Sequence, residues 1–512
     1  MTSPERVAVI GCGLIGTSIA MADGKKASSL IVGNTGAVSF TAAQAITVSL
    51  IEAGGTISLT ATNGAITDGL TGTNPNLDGE TATVTLTAGA GIGTGASPIQ
   101  TRVDRLAASV TTSGGLFIRE ATSLRIFSGT NTFAVDLSAP SANMNISTVN
   151  GSITVEKGIR STGTTSGGNL RLETAETAEG TASDANIDIR AEISSAKGSI
   201  SLTSADDVVT TSAGKVQTTA TAQTVDILAA GAITMNASSQ VLTTDGNQRL
   251  EAQGGSVTLG RLSASGTGNV TVKASVGIFD GDADALVPQT INVTANNVRL
   301  DAGTAIGTGS NAIETSVSLM AAKSSSGGIY LNESNAVTVG SVAAITVNRI
   351  DNLGAASSTV SDSGALAGIT PSSGAALVLT TGGKLTVNSA LTAAGAGHVR
   401  IDVTGDLDLN ALLDAGSGNV TVLASGILTQ AAAGDIVTTG TGTVDVQGGT
   451  IVMNDGATVG TGSGNIRYVA TGTMSLGALS TTGDVSLSAS SITDSGTTDT
   501  RSESTRLNSS HT

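Results

Sequence analysis

Short runs of alternating apolar and polar residues make up most of this chain. In the run GTISLTA, Ile57, Leu59 and Ala61 fall on one face of an extended strand, and the Thr and Ser residues between them fall on the other. This period of two predicts a half-buried β-strand. The alternation recurs from about residue 46 to about residue 490, broken at short intervals by Gly, Asn, Asp and Ser. The chain is therefore predicted to be all-β.

One of these runs returns nearly unchanged. The phrase GNVTVKAS begins at Gly268, and its copies GNVTVLAS and GDVSLSAS begin at Gly418 and Gly483. The starting positions differ by 150 (418 − 268) and by 65 (483 − 418). Both intervals are near-multiples of a short period of roughly 21 to 22 residues, within the range of strand-based solenoids.

Two further matches lie at longer intervals. AGAGIGTG matches AGTAIGTG and aligns Ile92 with Ile306, an interval of 306 − 92 = 214, and GAITMN at Gly231 returns as GTIVMN at Gly449, an interval of 449 − 231 = 218. Strands that recur at a fixed coil length stack in parallel on their own copies. Crossover chirality favours a right-handed coil. The sequence thus predicts a right-handed parallel β-helix with rungs of roughly 21–22 residues.

The amino-acid composition fits a narrow β-helix, and the net charge excludes some classes of binding partner. Aromatic residues are only 1%, which suits a core of small and β-branched side chains. The net charge of −16, without Lys/Arg clusters, argues against nucleic acid and acidic membrane surfaces as partners. One cysteine, Cys12, and two histidines, His398 and His511, offer no disulfide framework and no Cys/His zinc cluster. We therefore expect no cofactor.

The amino-terminal stretch RVAVIGCGLIGTSIAMA, residues 6–22, carries the spacing G-x-G-x-x-G at Gly11, Gly13 and Gly16 after an apolar strand. It resembles the opening of a prephenate dehydrogenase, and the resemblance implies an NAD(P) site. A Rossmann unit needs an acidic residue about 20 positions later for the ribose. The sequence there contains Asn34 and neither Asp nor Glu, so we interpret the fingerprint as vestigial.

Two other interpretations of residues 1–22 stay open. The apolar run followed by Ala20-Met21-Ala22 has the pattern of a signal peptide, although Glu5 offsets Arg6 in the leader. The other interpretation is that residues 1–22 are a foreign piece joined to the repeats. The tail TRSESTRLNSSHT, from residue 500, resembles a non-native tail in the same way. No transmembrane segment is expected, because the run is short and broken by glycines.

Residues of about 30–490, with phrases such as GNVTVKASVGIFDG and GSGNIRYVATGTMSLG, resemble the filamentous-haemagglutinin-like and related β-strand-repeat adhesins of bacteria. The resemblance implies a non-catalytic adhesive stalk, exposed on a Gram-negative-type outer surface or secreted. It implies a receptor or glycan on a host or neighbouring cell as partner, and a larger parent polypeptide on both sides.

The sequence is accordingly divided into four parts. Residues 1–22 form the fingerprint or signal-like segment, residues 23–45 lead into the first rungs, residues 46–490 form the repeat body, and residues 491–512 form a disordered tail. The main alternative function is a β-helical carbohydrate-active enzyme, which would need clustered acids on one face.

Two acidic groups are candidates for such chemistry. Asp280, Asp282 and Asp284 in FDGDADALVPQ begin like a calcium loop, but position six lacks Gly and position twelve lacks Glu. They form at most a weak calcium site, and a solvated turn is the simpler interpretation.

The second group lies in RIDVTGDLDLNALLDAG. Asp406 and Asp408 flank Leu407 and are expected to share its outer face as a carboxylate pair, with Asp402 and Asp414 nearby in the sequence. Outward polar alternation explains these residues equally well. We therefore predict that the protein is not an enzyme.

Overall fold

The computed structural model describes residues 17–18, 30–32, 36–177, 185–282, 290–496 and 507–508. All regular secondary structure in these residues is β-strand, and parallel strands stack as a β-solenoid of about 19 turns. The prediction of an all-β parallel β-helix is thereby confirmed. Within the same ranges, no helix is long and apolar enough to span a membrane.

The chain separates into two compact units. Unit 1 contains Met1–Gly254 and Thr346–Val360, and unit 2 contains Gly255–Ile345 and Ser361–Thr512. The short segment Thr346–Val360 comes from the second half of the sequence, yet it belongs to the unit formed by the first half.

Unit 1 is built from short strands that pair in parallel with the equivalent strand one rung later. Leu170 pairs with Ile200, and Ile200 pairs with Val225, so that buried apolar side chains stack directly on one another. Its strands are Thr17–Ser18, Leu30–Val32, Val38–Ala42, Ile46–Val48, Ile51–Ala53, Thr56–Ala61, Ile66–Asp68, Leu77–Ala88, Ile99–Val110, Leu116–Glu120, Leu124–Ile126, Phe133–Leu137, Met144–Thr148, Ile153–Val155, Gly158–Ser161, Leu170–Glu173, Ile187–Ile189, Glu192–Ser195, Ile200–Ser204, Val208–Thr210, Lys215–Thr221, Val225–Ala229, Ile233–Met235, Gln240–Thr244, Gln248–Ala252, Thr346–Arg349 and Ser358–Ser361, of which the last residue belongs to unit 2.

Unit 2 follows the same plan, and in it Ser341–Val342 pairs with Leu366–Ala367 in the antiparallel direction. Its strands are Val257–Leu259, Arg261–Ser265, Asn269–Ala274, Ile278–Asp280, Val293–Ala302, Ile313–Ser324, Ile329–Glu333, Val337–Val339, Ser341–Val342, Leu366–Ala367, Ile369–Thr370, Leu377–Thr381, Leu385–Val387, Leu391–Thr392, Val399–Val403, Leu407–Leu409, Leu413–Asp414, Val420–Ala424, Ile427–Gln430, Ile436–Val437, Val444–Gly448, Thr450–Met453, Thr458–Gly460, Ile466–Ala470, Thr473–Leu476, Ala478–Ser480, Val485–Ser488, Ser491–Asp494 and Leu507–Asn508.

The rung length is regular in the later part of unit 2. Leu377 pairs with Val399 and Val399 with Val420, so that the sequence number advances by 22 (399 − 377) and then by 21 (420 − 399). In unit 1 the step varies, and the pairing of Ile153 with Ile187 corresponds to a step of 34 (187 − 153). The longer step reflects loops between strands, because the strands themselves keep their register.

The repeated phrase GNVTVKAS is a rung strand, as predicted. Val270, Val272 and Ala274 are buried, and Lys273 is exposed. Alternation along this strand places Thr271 on the outer face with Lys273, yet only 1% of Thr271 is exposed. A segment from elsewhere in unit 2 contacts its hydroxyl group, as described below.

The sequence match between Ile92 and Ile306 is a structural correspondence between the two units. Each of these residues forms isolated parallel bridges with the rungs before and after it. Gly93 and Gly307 follow with φ of +61° and +62°, and a Cβ on either would lie 2.6 Å from a carbonyl oxygen of the next rung. Glycine is required at both positions for the same reason. The two units therefore share one local design.

Candidate functional site

Four residues of the candidate sites lie outside the described ranges. These are Gly11, Gly13 and Gly16 of the fingerprint, and Asp284 of the acidic loop. The interpretation of the fingerprint as vestigial stays a prediction.

Asp280 is buried rather than part of a solvated turn, with 8% of the residue exposed at the end of its strand. Its Oδ1 accepts hydrogen bonds from Asn292 Nδ2 at 2.6 Å and from the Asp282 amide at 3.1 Å, whereas its buried Oδ2 has no hydrogen-bond partner among the described residues. Burial raises the pKa of Asp280 to about 6, and the bond from Asn292 opposes that shift. Among the described residues, no three His, Cys, Asp or Glu side chains are grouped so that they could hold a metal ion.

The carboxylates of Asp406 and Asp408 have separate structural partners. Asp406 Oδ1 accepts a hydrogen bond from the Ile427 amide at 2.8 Å, and Asp408 Oδ2 lies 2.6 Å from Lys384 Nζ. The hydrogen bond and charge of Asp408, with a smaller contribution from Asp406, raise the pKa of Lys384. The two acids thus anchor a backbone turn and a surface cation.

The neighbouring groups are engaged in the same way. Asp402 Oδ2 pairs with Arg400 Nη2 at 3.0 Å, and Asp414 Oδ1 accepts a hydrogen bond from the amide two residues later at 2.8 Å. His398 Nδ1 accepts a hydrogen bond from the Asn419 amide of the next rung at 3.0 Å. These contacts join rungs and turns.

Each unit buries an asparagine that bridges an aspartate and the next rung. In unit 1, Asn76 Nδ2 donates to Asp68 Oδ1 at 2.6 Å, and Asn76 Oδ1 accepts from a backbone amide at 2.8 Å. In unit 2, Asn292 Nδ2 donates to Asp280 Oδ1 at 2.6 Å, and Asn292 Oδ1 accepts from a backbone amide at 2.9 Å. The intervals, 292 − 76 = 216 and 280 − 68 = 212, match the internal repeat.

A buried glutamate completes each copy of this arrangement. Thr101 Oγ1 donates to Glu120 Oε2 at 2.6 Å, and Thr315 Oγ1 donates to Glu333 Oε2 at 2.7 Å. Both glutamates are 0% exposed, and burial raises the pKa of each although the threonine bond opposes the shift. Pairing of buried carboxylates with hydroxyl and backbone donors makes these groups part of the rung scaffold.

The most unusual surface of unit 1 lies beneath residues 346–354, named here the covering segment. Polar side chains from successive rungs hold its backbone across the outer face of the strands. The contacts join Asn247 Nδ2 to Thr346 O (2.9 Å), the Asn348 amide to Thr224 Oγ1 (2.9 Å), the Ile350 amide to Ser201 Oγ (3.0 Å), Asn145 Nδ2 to Asn352 O (3.4 Å) and Asn169 Nδ2 to Gly354 O (3.2 Å). Residues 346–349 of the segment are extended, and residues 351–354 form a turn in which the Gly354 amide donates to Asp351 O at 3.0 Å.

An ion-pair network fixes the covering segment. Arg349 Nη2 lies 2.7 Å from Asp226 Oδ2, and Arg249 Nη1 lies 3.0 Å from Asp226 Oδ1. Arg249 also contacts Glu251. The Asp226 side chain is 1% exposed, although its position on the strand faces outward from the core. The covering segment therefore buries charges that strand alternation alone would place in solvent.

A second covered surface lies within unit 2. Asp362 accepts hydrogen bonds from Thr271 Oγ1 at 3.1 Å and from the Ile345 amide at 3.0 Å, and its Oδ2 lies 3.7 Å from Arg299 Nε. A small apolar cluster lies in the same region and consists of Ala321, Val342, Ile345, Leu319 and Leu366. This packing explains why Thr271 is buried.

Sequence reasoning missed both covered surfaces, because the sign of an insertion lies in a strand pairing that only the structure shows. The paired strand residues Ile329 and Leu377 are separated by 48 in sequence (377 − 329), which is roughly twice the ordinary rung. Such an interval indicates an insertion between consecutive rungs. The alternating pattern gave no indication of which face the insertion covers.

Comparisons of the chain with protein-family models, with curated proteins and with solved structures found no match.

Proposed function

We propose that this chain is a structural and adhesive stalk segment of an exported bacterial surface protein, without catalytic activity. Its partner is a receptor or glycan on a host or neighbouring cell, and its place is the cell surface or the extracellular medium. The proposal starts from the resemblance to filamentous-haemagglutinin-like adhesins and from the parallel β-solenoid, which is compatible with such a stalk.

The main support for the proposal is that the candidate catalytic acids all make structural contacts. Asp406 and Asp408 bind a backbone amide and Lys384, and Asp402 binds Arg400, so that each carboxylate has a structural partner. A glycosidase needs two carboxyl groups placed on opposite sides of one bond. Carboxylates committed to scaffold contacts favour a stalk over the β-helical carbohydrate-active enzyme.

The rung composition also favours a stalk. The strand Val420–Ala424 buries Val420, Val422 and Ala424, whereas Thr421 and Leu423 between them are half-buried. Rungs of this kind present hydroxyl and amide groups along a stable scaffold without a reactive centre. Such groups can exchange hydrogen bonds with a glycan or a protein receptor.

The test is adhesion of coated beads. Beads that carry the chain at fixed density are washed under shear over epithelial cells, bacterial cells and a panel of immobilised glycans. Retention on at least one surface is expected, and beads that carry the chain with the interior substitution Val444→Asp should be released. Absence of retention on every surface would contradict the adhesive role.

A second assay tests the alternative, a β-helical carbohydrate-active enzyme. The chain is incubated with a panel of polysaccharides, and the release of reducing ends is measured. We expect none. Sugar release that disappears in the double variant Asp406→Asn/Asp408→Asn would establish the carbohydrate-active enzyme instead.

A further inference from the structure

The surface that holds the covering segment in unit 1 is repeated in unit 2. The phrase VDIL, from residue 225, matches VDVQ, from residue 444, and NQRLEA, from residue 247, matches NIRYVA, from residue 465. The matched positions are Ser201 and Thr421, Thr224 and Thr443, Asp226 and Asp445, Asn247 and Asn465, and Arg249 and Arg467. The groups at these positions have counterparts of the same chemistry, whereas Asn145 and Asn169 align in register with Val378 and His398.

The counterparts also have the same internal geometry. Asp226 and Arg249 lie on consecutive rungs 3.0 Å apart, and Asp445 and Arg467 lie on consecutive rungs 2.8 Å apart. In unit 2, Gln447 Nε2 also donates to Asp445 Oδ2 at 3.1 Å, so a basic side chain of a partner would share that oxygen with Gln447.

Asparagine amides on the two faces are oriented by one device. In unit 1, Asn169 Oδ1 accepts the Ser199 amide at 2.9 Å, which directs Asn169 Nδ2 to the covering segment. In unit 2, Asn419 Oδ1 accepts the Thr443 amide at 3.0 Å, and Asn465 Oδ1 accepts an amide of the next rung at 2.9 Å. Both unit 2 asparagines are exposed, and it is their Oδ1 atoms that accept these backbone bonds.

Exposure separates the two faces. The side chains of Asp226 and Arg249 are 1% and 9% exposed, whereas those of Asp445 and Arg467 are 33% and 47% exposed. An Arg–Asp pair, two asparagine side chains and the Thr421 hydroxyl thus lie on a face of unit 2 that is open to solvent.

We propose that the outer face of Val399–Val403, Val420–Ala424, Val444–Gly448 and Ile466–Ala470 in unit 2 binds an extended segment of another polypeptide chain. The segment binds in the manner of the covering segment on unit 1. This inference is independent of the proposed adhesive function, because it rests on a surface match within the chain.

The site defines the chemistry of its partner. Backbone carbonyls of the segment accept from Asn419 and Asn465, and a basic side chain pairs with Asp445 as Arg349 pairs with Asp226. Val469 replaces the Glu251 of unit 1, so an apolar side chain fits beside the basic one. Recognition is through main-chain hydrogen bonds, with the basic residue fixing the register.

The experiment uses a fluorescein-labelled peptide of sequence ITVNRIDNL, taken from residues 345–353, and the full chain. Saturable binding with a Kd in the millimolar range or tighter is expected by fluorescence anisotropy. Asp445→Asn and Asn465→Ala should each weaken peptide binding by roughly tenfold. A peptide with Ala in place of its Arg should bind the unchanged protein at least roughly tenfold more weakly than the original peptide. The peptide variant leaves the folding of the protein unchanged.

Matched variants in unit 1 distinguish binding at the proposed site in unit 2 from binding in unit 1, where the peptide would displace the covering segment. Asp226→Asn and Asn247→Ala should leave the peptide affinity within about twofold, because they lie on a separate face. No binding at about 1 mM peptide would overturn the proposal, as would binding that depends on Asp226 but not on Asp445. A scrambled peptide that binds equally well would also overturn it.

Discussion

Asp226 with Arg249 in unit 1 and Asp445 with Arg467 in unit 2 form the same ion pair in two surroundings. The charged atoms are 3.0 Å apart in the first and 2.8 Å in the second, on consecutive rungs in both. The first pair is buried beneath residues 346–354 and the second is largely open. A segment distant in sequence, rather than the strands themselves, causes the difference.

Two properties of a rung have different causes: which side chains enter the core, and what surrounds the side chains that point outward. Alternation along the strand fixes which side chains enter the core, and it acts identically in both units. The environment of the outward side chains depends on what lies over the strand. An ion pair on the exposed surface contributes little to stability. When another segment covers the pair, removing one partner leaves a buried charge without compensation, and the loss of stability is large.

The largest expected effect tests the shared interior. Val225 and Val444 occupy matched core positions and are 0% and 1% exposed. Val225→Asp and Val444→Asp should each lower the free energy of unfolding by about 4 kcal/mol or more, because each buries a charge without a partner. Urea denaturation followed by circular dichroism measures the loss. A control substitution on the exposed outer face, Ser486→Asp, should shift the midpoint little, and a much smaller loss at Val444 than at Val225 would contradict a common core design.

The second prediction tests the two ion pairs directly. Arg249→Ala should lower the free energy of unfolding by about 3 kcal/mol, because buried Asp226 and Glu251 each lose the guanidinium group that they contact. Arg467→Ala should cost less than about 1 kcal/mol, because water and salt screen the exposed pair. Urea midpoints at low and high salt compare the two variants. Equal losses would show that coverage does not determine the strength of the pair.

Much of the fold could be predicted from sequence because its main determinant is local. A period of two in phrases such as GNVTVKAS places Val270 and Val272 in the core, and the spacing of the copies gives the rung. The covering contacts could not be predicted in this way. Arg349 and Asp226 are far apart in sequence, by 349 − 226 = 123, and no periodicity links them.

The candidate acids show the same limit. Alternation placed Asp408 next to core residue Leu407, but the partner, Lys384, lies one rung away and depends on register. The outward polar pattern was therefore correctly recognised, whereas the specific pairing required the structure. The burial of Asp280 was missed because Asp followed by Gly ordinarily signals an exposed turn.

A second difference between the units concerns the matched residues Asp68 and Asp280. Asp68 is half-buried and accepts bonds from Asn76, the Leu70 amide and Ser97. Asp280 is 8% exposed, and within the part of the chain that the structure describes one of its oxygens has no hydrogen-bond partner. The unit 2 copy therefore carries a carboxyl group for which the protonated form is favoured by folding.

The smallest expected effect follows from that carboxyl group. The pKa of Asp280 rises from 3.8 to about 6 on folding, so between these values the folded chain binds more protons than the unfolded chain. The free energy of unfolding should fall as pH rises through this window, by about 1–3 kcal/mol from this residue. Urea midpoints at pH 4, 5, 6 and 7 should show that Asp280→Asn removes this component, whereas Asp68→Asn retains it because Asp280 is intact. An identical pH dependence in the wild-type chain and in Asp280→Asn would show that the buried carboxyl group does not distinguish the two copies.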